Sequence, residues 1–177
     1  MIKREERATY DNTSFLSLLK ENGIFSLTIG NLGFYVAILL GWLSYRVFIN
    51  MKQTEITEIA GYISNILPGV SASILGIIIA GLSIIVALTS GKILHLLLKN
   101  KTLQNLLFPF WYAAALWGII IVITMSFPII IKITTIKILI YSIVFVLSLT
   151  IYTLFGTIAL IGNTIRIMVI LAQLNDN

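Results

Sequence analysis

The chain has 177 residues, 58% of them hydrophobic and 11% charged, with a mean hydropathy of +1.01, a balance far from that of soluble domains and typical of an integral membrane protein. Its net charge of +5 is read as loop lysines that set topology rather than as a nucleic-acid surface, so no direct nucleic-acid binding is expected. Cysteine is absent and His95 is the sole histidine, which excludes disulfides, thiolate chemistry and metals held by thiolates or by paired imidazoles, and no cofactor is expected.

Residues 1–26 read as a cytoplasmic tail leading into a short interfacial helix. Lys3, Arg4, Arg7 and Lys20 are interspersed with Glu5, Glu6, Asp11 and Glu21, as in a solvated segment. From Thr13, the side chains of Phe15, Leu18 and Leu19 share one helical face, and Gly23 can close the helix. The apolar run that follows begins too late and lasts too long for a cleaved leader, and is expected to stay as an anchor.

Each membrane-spanning helix needs about 20 apolar residues. Four stretches qualify, at about 27–48, 69–91, 108–128 and 137–162, the last helix extending to about 171 and leaving 172–177 as a cytoplasmic tail. The first span ends on Trp42, Tyr45 and Arg46, an interface anchor. Between the first two spans, Ile56, Ile59, Ala60, Ile63, Ile66 and Leu67 fall on one helical face, with Glu55 and Glu58 in the first turn and Pro68 at the end. This predicts a separate amphipathic helix lying on the membrane or on a neighbouring subunit.

The second span carries a seam of small residues. Alternating steps of four and three from Gly69 meet Ser73, Gly76, Ala80, Ser83, Ala87 and Ser90. Lipid supplies little hydrophobic drive for helix association, and small residues permit the close packing that replaces it. The seam is therefore expected at the crowded centre of an assembly, as a helix-packing surface or, around an axis, as a pore lining. The opposite face holds Ile74, Ile77, Ile78, Ile85 and Leu88.

The loop that follows brings Lys92, His95, Lys99 and Lys101 to a leucine run, a cytoplasmic contact for anionic lipid or for a partner. In the third span, Pro109 suits a first helical turn, Phe108, Phe110, Trp111 and Tyr112 form an interface belt, and Pro128 closes the helix. On the fourth, Tyr152, Gly156, Ala159, Asn163 and Arg166 repeat the four-and-three spacing as a second polar and small face.

The expected architecture is an all-α integral membrane four-helix bundle with short amphipathic interfacial helices. Eight of the basic residues lie on the side shared by the termini and the middle loop, and four, Arg46, Lys52, Lys132 and Lys137, on the other; both termini are thus expected in the cytoplasm. No Asp or Glu falls inside a span, which argues against a proton-coupled carrier. No phosphate-binding loop or catalytic set is present, and an enzyme is not expected.

The surface segment YISNILPGVS, the small-rich span IIIAGLSIIVALTSGK, the aromatic third span and the terminus AQLNDN give the chain a layout that resembles small four-span bacterial antiphage membrane proteins, the KwaA membrane subunit of the Kiwa system and the RexB-like exclusion proteins. The first likeness implies an oligomeric membrane component that responds to phage and works with a cytosolic DNA-binding partner. The second implies depolarisation of the membrane on infection. The expectation is an inner-membrane, multi-pass homo-oligomer acting as scaffold, sensor or switch for a cytosolic partner in phage defence. Its rivals are a stand-alone ion channel or holin-like depolarising protein and an accessory subunit of a small-solute transporter.

Overall fold

The structure is a computed structural model that describes the backbone over 32–88 and 102–175 and the side chains over 32–87 and 107–165. Four helices make up these residues: α1 (Leu32–Phe48), α2 (Gln53–Leu88), α3 (Thr102–Ile133) and α4 (Ile136–Asn175). Three are long and apolar enough to cross a membrane, over Gln53–Ala87, Leu107–Ile133 and Ile136–Ile165, while α1 is apolar but shorter. The 1–26 segment and the loop with Lys92, His95, Lys99 and Lys101 lie outside the described residues.

Helices α3 and α4 form a hairpin through Thr134 and Thr135, and α1 packs on α4 while α2 packs mainly on α3 and in part on α4. The short α1–α2 and α3–α4 connections meet at one end. There Ile56, Ala60, Phe127, Leu139, Ile140, Ile143 and Val146 are buried together, with Phe48, Met51 and Ile136 packed against them. Toward the other end, Ile78 and Ile85 of α2 pack with Phe110, Ala113, Trp117 and Ile120 of α3 and with Leu160 of α4. Leu67 touches both clusters.

The helix ends are built from local chemistry. The amide Nδ2 of Asn50 donates to the carbonyl of Arg46 at 3.0 Å, closing α1, and the Arg46 guanidinium lies 5.5 Å over the Trp42 ring. At the start of α2 the Glu55 carboxylate accepts the Lys52 backbone N–H at 2.9 Å, the reciprocal half of a capping box.

Three sequence expectations are corrected by this packing. The amphipathic segment before Pro68 is not a separate helix, because α2 runs unbroken through Pro68 for 36 residues. Its apolar face rests on α3 and α4 of the same chain rather than on lipid: Ile56 and Ala60 are fully buried, although Ile66 turns outward at 61% exposure. Proline removes one backbone hydrogen bond, and packing by neighbours on either side of that turn through Leu67 holds the helix together. At 1.5 Å per residue α2 measures about 54 Å against a hydrocarbon core of ~30 Å, so the turn carrying Lys52, Gln53 and Glu55 reaches beyond a membrane that holds its apolar part.

The third helix likewise begins at Thr102, which puts Pro109 past the first turn, and it continues through Pro128 to Ile133. The aromatic belt also divides. Phe108 and Phe110 are buried in the core, Tyr112 is half-buried, and Trp111 alone of the four is exposed.

Candidate functional site

Every described member of the small seam, Gly69, Ser73, Gly76, Ala80, Ser83 and Ala87, is exposed, while Ser90 lies outside the described residues. A Cβ added at Gly69 or Gly76 would meet nothing within 4 Å. The hydroxyls are satisfied inside their own helix, Ser73 donating to the Gly69 carbonyl and Ser83 to the Ile79 carbonyl, each at 2.9 Å. The seam is thus a smooth strip, bordered by exposed Ile77, Ile84 and Val86, that points out of the chain. On the opposite face, Ile78 and Ile85 are buried and Ile74 half-buried, but Ile77 is exposed and the Leu88 side chain lies outside those described.

Another small seam carries the intramolecular contact. Gly33, Ala37 and Gly41, four residues apart on α1, are its buried residues. A Cβ at Gly41 would collide with the Ser148 Oγ of α4 and come within 3.8 Å of Val144. The signal was legible as a repeat of small residues at four-residue spacing, the pattern that draws two membrane helices together; sequence reasoning passed over it in favour of the longer repeat in α2.

The second polar face gathers into a cleft. Tyr152, Gly156, Ala159 and Asn163 of α4 line a cavity of about 170 Å³ together with Pro109, Tyr112, Ala113 and Leu116 of α3; the Arg166 side chain is outside those described. The hydroxyls of Tyr112 and Tyr152 are hydrogen-bonded at 3.1 Å, and the Phe34 ring of α1 meets Tyr152 edge-on, with centroids 6.5 Å apart. Behind them Trp117 Nε1 donates to Thr157 Oγ1 at 2.9 Å, and Thr157 donates to the Thr153 carbonyl at 2.8 Å. Such a bond contributes about 1 kcal/mol net, and losing the acceptor would leave the indole N–H buried at a cost of about 1–3 kcal/mol. The buried Ser71 hydroxyl of α2 has no hydrogen-bond partner among the described residues.

Chemically, the cleft offers phenols, a carboxamide and apolar walls. Among the described residues no three His, Cys, Asp or Glu side chains come together in a group that could hold a metal ion. Compared with protein-family models, curated proteins and solved structures, the chain matches none.

Proposed function

We propose that the protein is a four-span component of a bacterial inner membrane, with both termini in the cytoplasm, that associates with copies of itself along α2. In this reading it serves as the membrane module of an antiphage defence system, a scaffold, sensor or switch for a cytosolic partner. The observation that carries the proposal is the outward seam of Gly69, Ser73, Gly76, Ala80, Ser83 and Ala87. Against lipid a strip without bulk forgoes dispersion contacts, whereas against a second copy it lets two backbones approach closely. The resemblance in layout to small antiphage membrane proteins, read from the sequence, is the ground for the defence role.

The test is the mass of the complex extracted from native membranes, for the natural protein and for a variant with Gly76→Leu and Ala80→Leu. The natural chain should run as a homo-oligomer with a stoichiometric soluble protein, and the variant as a monomer. An oligomer that persists unchanged in the variant rules out the seam. A homo-oligomer without any soluble partner, which depolarises cells when expressed alone, replaces the module with a channel.

A further inference from the structure

At the end of the bundle where the two short connections meet, a cavity of about 180 Å³ is lined by Tyr45, Ile49, Lys137, Ile140 and Tyr141. The rings of Tyr45 and Tyr141 are stacked at 5.6 Å with an interplanar angle of 13°. Ile49 and Ile140 supply apolar wall, and Lys137 brings an ammonium to the same space.

The charge balance around this cavity is one-sided. Neither α1 nor α4 carries an Asp or Glu along its length, and Arg46 follows Tyr45 directly. The carboxylates described at this end, Glu55 and Glu58, belong to α2 and are engaged, the first by the Lys52 backbone N–H and the second by the Tyr62 hydroxyl at 3.3 Å. No salt bridge to Lys137 is formed among the described residues.

We infer that this cavity is a binding site for the phosphate of an anionic phospholipid. The Lys137 ammonium supplies the charge, and the Tyr45 and Tyr141 phenols, which hydrogen-bond to each other, leave one O–H of the pair to donate, a set suited to an anionic oxygen acceptor. The space of about 180 Å³ is well above the ~10–15 Å³ that one water needs, which leaves room for a group larger than water. Exposed Phe145 on α4 and Trp42 on α1, one turn further in than Tyr141 and Tyr45, continue from the polar end into the apolar length of the bundle, where acyl chains would lie. Tyrosine and lysine at this level are the side chains that bridge headgroups and hydrocarbon.

Native mass spectrometry of the full-length protein, with phosphatidylglycerol, phosphatidylethanolamine or inorganic phosphate added in turn, tests the site. Phosphatidylglycerol should be retained preferentially, and Lys137→Gln should reduce its retention about fivefold, the effect of one cation near an anionic lipid surface. Tyr45→Phe with Tyr141→Phe, which keeps the stack and removes the hydroxyls, should also reduce it. Lys132→Gln, an exposed cation of α3 that does not line the cavity, should leave it unchanged. Equal retention by the Lys137 and Lys132 variants overturns the proposal. Equal occupancy by inorganic phosphate in lipid-stripped protein overturns the lipid assignment and gives the same atoms to a soluble anion.

Discussion

Gly41 and Gly76 are both helical glycines in apolar helices, yet their surroundings give them opposite tasks. At Gly41 any side chain meets Ser148 and Val144 of α4, whereas at Gly76 there is open space. Gly41→Leu should therefore lower the thermal stability of the single chain by about 1–3 kcal/mol, the usual cost of overpacking, as read by thermal unfolding in detergent. Gly76→Leu should leave that stability unchanged, and its effect is expected in the mass of the assembly. Equal destabilisation by the two variants would mean that the exposed seam is packed within one chain.

At the scale of the element, α2 holds together two parts that the sequence presents separately. Its N-terminal turns pack Ile56 and Ala60 beside Phe127, and its later turns pack Ile78 and Ile85 beside Phe110 and Trp117. A proline inside a helix costs about 3 kcal/mol, so Pro68→Ala should raise the unfolding temperature measured by circular dichroism and leave the helix content intact. Were Pro68 the boundary between an interfacial helix and a span, alanine there would bring no such gain. The hydrophobic pattern did locate both parts. What it could not tell is whether an amphipathic face looks toward lipid or toward another helix, since both favour the same isoleucines.

Across the whole molecule, the two short connections lie at one end because the core there contains Phe48, Met51 and Ile136 together with Ile56 and Leu139. The absence of cysteine makes single-cysteine labelling direct. Cysteines introduced at Asn50 and Thr135 should react with a membrane-impermeant maleimide from the same side of the membrane, and one at Lys101 only from the other. Labelling of Asn50 and Thr135 from opposite sides would rule out the four-span arrangement. In the proposed orientation, argued from the distribution of basic residues, Asn50 and Thr135 are expected to label from outside the cytoplasm.

Composition and periodicity by themselves determined that the chain is helical and carries stretches long and apolar enough to cross a membrane, as three of the described helices are. Local chemistry is enough for that, because a backbone in hydrocarbon must satisfy its own hydrogen bonds and a run of isoleucine and leucine does so as helix. Tyr152, Gly156, Ala159 and Asn163, grouped in the sequence by their spacing on one helix, line one cavity in the structure. Only the tertiary structure decided that Tyr112 of α3 completes their cleft, that Phe108 and Phe110 enter the core, and that the α1 glycines, not the α2 seam, join helices within the chain. Each of these depends on which helix stands opposite. Inside lipid, where apolar side chains gain little by choosing protein over hydrocarbon, shape complementarity with that neighbour makes the choice.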